Sequence, residues 1–198
     1  MKKPEIILTV LVAVALTMNY LKLPFGGVLS VLSITGLAVY YYPIFPLMLT
    51  GNSLNKIFSG AKSKSLLLFA FLTGIGLSIL LVGILFKVQL WPMANTLLTL
   101  GLFSAVVLMA VNAIRFKKTA KDIFKALLIR CSVGFFLGSL AFMIPNDTLL
   151  EHHFGENPSY IDAYKNWKAN PNDPSAIEKL EEERLKLNVY SDRSDSLR

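Results

Sequence analysis

The chain has 198 residues, 54% of them hydrophobic and only 17% charged, against about 25% charge in an ordinary soluble domain. Residues 1–144 carry thirteen Lys and Arg but only two acids, Glu5 and Asp122, whereas Pro145 to Arg198 carries seven cations and eleven acids. These formal charges of +11 and −4 make up the +7 of the whole chain, so the cations flank apolar segments and no basic run interleaved with aromatics points to nucleic acid.

Five apolar stretches follow in order, at about 4–20, 25–49, 66–86, 91–114 and 123–144. Each approaches or exceeds the roughly 17–25 residues that a helix needs to cross the hydrocarbon core. Lipid offers no partner to a backbone amide, and the runs are too long and evenly apolar for barrel strands. The expected fold is therefore all-α: a membrane bundle of about five transmembrane helices over 1–144. The first stretch also resembles a signal peptide, with Lys2-Lys3 and Ala13-Val14-Ala15. Its apolar run continues through Leu16 and Met18, which favours a retained span.

Cations are concentrated before the first span, in the second link (Lys56, Lys62, Lys64) and in the fourth link (Arg115, Lys117, Lys118, Lys121, Lys125). By the positive-inside rule this alternation predicts a cytoplasmic N-terminus and an external tail. The two short links carry one cation each, Lys22 and Lys87. A shift of 65 residues superposes Leu21-Lys22-Leu23 and Gly36-Leu37 on Phe86-Lys87-Val88 and Gly101-Leu102, although Pro24 and Pro92 do not then coincide. The expectation is two related helical hairpins in parallel orientation plus a fifth helix.

Intramembrane ionisable groups are the usual pointers to function. Lys22 and Lys87 suit snorkelling to the outer interface, with Trp91 and Pro92 beside the second turn. Arg130 either marks the edge of a span beginning near Cys131 or lies within the span and pairs with a lipid head group or a tail carboxylate. Asn95 and Asn112 suit hydrogen bonds between helices. Gly134 and Gly138, with Gly74, Gly76 and Gly83, suit close helix packing within the chain. Together Lys22, Lys87 and Arg130 define an alternative reading, a polar pathway in a channel or transporter subunit.

Little else carries chemistry. Cys131 is the only cysteine, which excludes an intrachain disulfide and a Cys-rich metal site. Glu151-His152-His153 has metal-ligand atoms but reads as a solvated segment. Gly51-Asn52-Ser53 and Gly60-Ala61-Lys62-Ser63 lack the spacing of a phosphate-binding loop. No cofactor and no catalytic group is expected.

The tail, 145–190, predicts an extramembrane helical hairpin. Asn157-Pro158 starts one helix, with Tyr160, Ile161, Tyr164 and Trp167 at helical spacing, and Asp173 caps a second through about Leu187. Residues 191–198 are expected to be disordered. Tyr160, Tyr164 and Trp167 form the candidate surface for an envelope protein partner. The bilayer is the other expected partner, and homo-oligomerisation is left open.

Phe86-Lys87-Val88-Gln89-Leu90-Trp91-Pro92-Met93-Ala94, followed by Gly101-Leu102, resembles the F-K-x-x-H-W-P-G-A…G-L hairpin of small polytopic envelope proteins of gliding-type bacteria, including the transmembrane part of the gliding-motility motor subunit. Leu90 stands where that pattern has His, and Met93 where it has Gly. The resemblance implies a bacterial inner-membrane location. The motor subunit also relies on a membrane-embedded acid, and no Asp or Glu is expected inside the first four spans here. Proton-driven motor activity is therefore not implied. The sequence reading is a non-catalytic inner-membrane envelope protein that scaffolds or binds a partner through its tail.

Overall fold

The computed structural model describes residues 3–44, 46, 64–116 and 121–195, and the chain divides into two compact units, Met1–Ile144 and Pro145–Arg198. The basic second link and both glycine-containing segments within it lie outside the described residues, apart from the backbone of Lys64. The first unit contains α1 (Lys3–Tyr20), α2 (Gly26–Val39) with a π-helical turn (Tyr40–Ile44), α3 (Lys64–Val88), α4 (Ala94–Phe116) and α5 (Lys121–Met143). Among the described residues, α1, α3, α4 and α5 are long and apolar enough to cross a membrane, and Gly26–Tyr42 forms a shorter apolar helix. The protein is thus an all-α, multi-pass membrane bundle.

The second helix is regular over a shorter stretch than the apolar run predicts. Pro43 has no N–H to donate to a helical ladder, and Tyr40–Ile44 forms a π turn.

Two hairpins, α1–α2 and α3–α4, share one turn geometry. In the first, Leu23 N donates to Met18 O (2.9 Å) and Lys22 N to Asn19 O (3.1 Å); in the second, Trp91 N donates to Phe86 O (2.8 Å) and Leu90 N to Lys87 O (3.2 Å). This bond pair is the Schellman ending of a helix, which requires a left-handed residue just past the helix. Lys22 and Leu90 supply it, at φ 53° and 55°. A second left-handed residue follows three positions later in each, Phe25 and Met93. Pro24 and Pro92 lie between them, where no helix can continue.

The geometry corrects the register of the repeat. Lys22 matches Leu90 and Phe25 matches Met93, an offset of 68, not 65. The prolines then coincide, and Lys87 becomes the counterpart of Asn19 instead of Lys22. The same offset pairs buried small residues: Ala15 with Gly83, Gly26 with Ala94, and Ser33 with Gly101. These are the places where each hairpin's helices touch. A Cβ on Gly26 would come within 2.7 Å of Asn19 N, and one on Gly83 within 2.9 Å of Leu98 N.

α3 is the central helix, packing against α2, α4, α5 and the π turn. Its Leu80, 1% exposed, sits in notches left by glycines on two neighbours. A Cβ on Gly101 of α4 would lie 2.7 Å from Leu80 Cα, and one on Gly138 of α5 would lie 2.7 Å from Leu80 Cδ1. The small residues of α3 and α5 therefore act within the chain, which suits membrane packing driven by close contact, since lipid is as apolar as leucine.

The second unit holds three helices: α6 (Asn146–Phe154), α7 (Pro158–Ala169) and α8 (Pro174–Asp195). α6 joins the predicted hairpin as an extra element, and it contains Glu151-His152-His153. Pro158 begins α7, but Asn157 makes no side-chain cap bond. Asp173 does cap α8, accepting from Ser175 N at 3.0 Å and Ser175 Oγ at 2.9 Å. α8 runs on to Asp195, so residues 191–195 are helical where disorder was expected.

Two glycines test the packing account. Gly101→Ala forces its Cβ into the backbone of Leu80 and is expected to destabilise the bundle by about 1–3 kcal/mol, the usual range for overpacking. Gly27→Ala, whose Cβ would meet only Gln89 side-chain atoms at 3.9 Å, is expected to leave thermal stability in detergent almost unchanged.

Candidate functional site

The expectation of no acid inside the first four spans fails at Glu5, which the first apolar stretch, 4–20, already includes. Glu5 lies in the first turn of α1 and is 0% exposed. A carboxylate in that position needs compensation, and the helix N-terminus supplies only a fraction of a charge. The rest comes from Arg130, 125 residues away on α5. Its Nε donates to Glu5 Oε1 and its Nη2 to Glu5 Oε2, both at 2.6 Å. Such a two-pronged match suits the planar guanidinium and is among the strongest polar contacts available to a protein.

The surroundings complete the site. Tyr41 Oη, from the π turn after α2, donates to Glu5 Oε1 at 2.9 Å. Arg130 Nη1 donates to Ala126 O, one turn back on its own helix, at 2.9 Å. The Arg130 and Glu5 side chains are only 12% and 1% exposed. α5 is continuous from Lys121, and the Arg130 guanidinium is turned into the bundle. The acid that it meets is the one near the opposite end of the unit's sequence.

Hairpin two carries an uncharged counterpart. At the offset of 68, Glu5 corresponds to Thr73, which is also 0% exposed. Thr73 Oγ1 accepts from Asn112 Nδ2 at 3.3 Å, linking the start of α3 to the end of α4. Each hairpin thus holds its open end with a buried polar contact, Glu5 to Tyr41 in one and Thr73 to Asn112 in the other.

The other predicted cations lie elsewhere. Lys22 is exposed in the first turn. Lys87 is 3% exposed and donates to Asn95 Oδ1 at 3.0 Å, so it is held inside the second hairpin. Trp91 is 42% exposed, with its ring edge-on to Phe86 at 5.0 Å, and Pro92 is exposed beside it. Gln89 Nε2 donates to Gly27 O at 3.1 Å, which sets the two turns side by side. Lys22 and Arg130 are far apart: Arg130 is held at the start of α1, and Lys22 follows its end, about 25 Å away at 1.5 Å per helical residue. Lys22, Lys87 and Arg130 do not converge.

Next to the ion pair is a cavity of about 160 Å³ between α1, α2, α3 and α5. Beyond Glu5, Arg130, Thr9 and Tyr41, its walls are aliphatic, including Leu37, Leu77, Leu81 and Ile84. Such a space does not favour water, which needs two to four polar partners.

In the tail, Tyr160, Tyr164 and Trp167 form a continuous aromatic ladder with Phe154 of α6. Successive ring centroids are 4.6, 6.5 and 5.6 Å apart from Phe154 to Trp167. All three predicted residues are half-buried. Burial raises the Tyr160 phenol above its ordinary value. Among the described residues no group of three or more His, Cys, Asp or Glu is placed to hold a metal.

Removing one member of a buried ion pair strands the other, at a typical cost of about 3–5 kcal/mol. Arg130→Gln is accordingly expected to destabilise the bundle by that order. Glu5→Gln with Arg130→Gln is expected to regain a large part of the loss, read as a coupling term in a double-mutant cycle of thermal unfolding in detergent.

A family profile described as the GldL N-terminal domain matches residues 72–127, covering most of α3, all of α4 and the start of α5. No curated protein and no solved structure matches the chain. The match supports a distant relation to the transmembrane part of the gliding-motility motor subunit, and it falls on the second hairpin. Glu5 and Arg130 both lie outside it.

Proposed function

We propose that this chain is a non-catalytic bacterial inner-membrane protein of the cell envelope, built as a scaffold that crosses the bilayer five times. Its N-terminus is cytoplasmic, and its tail lies outside and binds a partner protein. The observation that carries this reading is the Glu5–Arg130 pair. Glu5 and Arg130 are spent on each other, in a two-pronged contact sealed by Tyr41. The space beside them is largely apolar, and Lys22 and Lys87 lie at the hairpin turns, away from the pair. That is the arrangement of a structural tie, and among the described residues it offers an ion no continuous polar path.

Gly26–Tyr42 supports the fifth crossing, because its 17 residues reach about 25 Å at 1.5 Å each, the short end of what spans a bilayer. The aromatic ladder supports partner binding. Tyr and Trp are enriched at the centres of protein interfaces, where a rigid ring buries area at little entropic cost. The relation of the second hairpin to GldL-type proteins fits a component of an envelope assembly.

Reporter fusions after Arg198 and after Leu49 test the topology: the first is expected to report from outside and the second from the cytoplasm, and a cytoplasmic signal after Arg198 contradicts five crossings. For the tail, a partner captured with the full-length protein is expected to be lost on combined Tyr160→Ala, Tyr164→Ala and Trp167→Ala. A partner set unchanged by that variant and by truncation after Ile144 contradicts the reading.

The fold of the tail has its own test. Lys186, then Ser159, hydrogen-bond the Glu183 carboxylate and hold its pKa below the ordinary value of 4.5. A depressed folded value means that the contact's stability is complete above the unfolded value and is lost as pH falls through the folded one. Carboxyl-carbon NMR titration is expected to place the Glu183 midpoint below that of a free glutamate. Lys186→Gln is expected to move it upward.

A further inference from the structure

We propose that the cavity beside the Glu5–Arg130 pair is a binding site for one acyl chain of a phospholipid with an anionic head group. The cavity lies between α1 and α5, which the ion pair joins at one end. Its outer rim on α5 is Ile129, Val133 and Leu137, which are 52%, 54% and 49% exposed. In a helix that crosses a membrane, residues so exposed and so apolar face lipid, so the cavity opens sideways into the hydrocarbon. Its floor is Leu77, Leu81 and Ile84 of α3.

Size selects the occupant. The volume is about 160 Å³, close to the roughly 150 Å³ of an engineered apolar cavity that stays dry and takes in benzene. A helix of about 10–12 Å diameter does not enter a space of that size, whereas a segment of a flexible hydrocarbon chain does, with the rest of the chain lying in the bilayer. Charge selects the head group. Lys125 is exposed one turn before Ile129 on the same face of α5 and forms no ion pair among the described residues. Arg130 is already engaged by Glu5, so Lys125, one turn before the lining residue Ile129, is the exposed cation that a lipid phosphate meets. Exposed Asp122 lies one turn nearer the start of α5, and its repulsion limits the head-group preference to a modest one. The ion pair then closes the polar end of the groove, holding α1 against α5 while leaving the apolar part open.

Native mass spectrometry tests this on the full-length protein in detergent, incubated with palmitoyl-oleoyl phosphatidylglycerol or the matching phosphatidylcholine. One retained lipid per chain is expected, with phosphatidylglycerol favoured by about fivefold, the factor a single cation near the membrane surface contributes. Lys125→Gln is expected to bring the two lipids to parity. Thr9→Trp and Leu137→Trp fill the opening from opposite rims, and each is expected to abolish retention without altering the melting temperature. Two independent rims keep the test valid if one variant misfolds. Equal retention by the wild type and both Trp variants means annular lipid only and overturns the site. So do the absence of any retained lipid, a mass corresponding to a free fatty acid or a second copy of the chain, or equal retention of the two lipids by the wild type.

Discussion

A charge cannot be left alone in hydrocarbon. Placing an acid or an arginine at the centre of a membrane helix costs about 2.5–3.5 kcal/mol by insertion scales, and burying both without contact costs more. This chain takes an acid and an arginine from opposite ends of its membrane unit's sequence and brings them together at 2.6 Å in two places. The arrangement of the helices follows from that requirement. α1 packs on α2 and α5 on α3 and α4, and the ion pair ties α1 to α5. Glu5 comes into place only when α5, the last of the five, has docked.

The hairpins give this tie something rigid to close on. Both use the same helix ending, with a left-handed residue before a proline and a second after it. Both bring their helices together through small residues at equivalent places. They differ at the open end, where one copy keeps a neutral Thr73–Asn112 contact and the other has Glu5 with Tyr41. An acid in the first copy gives α5 a charged anchor that the second copy does not offer. The neutral copy lies within the segment related to GldL-type proteins, and the charged tie falls outside it.

Much of the fold is readable from hydropathy, because α3 and α4 are long, apolar and free of charge across their middles. The repeat is readable too, but in the wrong register. Matching Lys22 to Lys87 and Gly36 to Gly101 chooses identical residues, whereas the chain conserves a turn. Aligning Pro24 with Pro92 recovers the offset of 68, since the proline is what ends the helix. Glu5 escapes because it sits at the edge of an apolar run, next to Lys2 and Lys3, where an acid reads as part of a polar flank. Its partner is 125 residues distant, and no periodicity connects the two. The usable signal is scarcity: residues 1–144 hold only two acids, Glu5 in the first turn of α1 and Asp122 in the first turn of α5, while α5 carries an arginine in its third turn. The third tail helix is missed for a different reason. Asn146–Phe154 is short and mixed in character, and its buried Leu150 is a single residue.

The account stands on Glu5 and Arg130 being in contact inside the membrane. Solid-state NMR on proteoliposomes measures this directly, through dephasing of the Glu5 carboxyl carbon by the side-chain nitrogens of Arg130. The account predicts strong dephasing from both Nε and Nη2, an ionised carboxyl shift, and loss of the signal in Glu5→Gln. A Glu5 carboxyl that shows no coupling to Arg130 would contradict it.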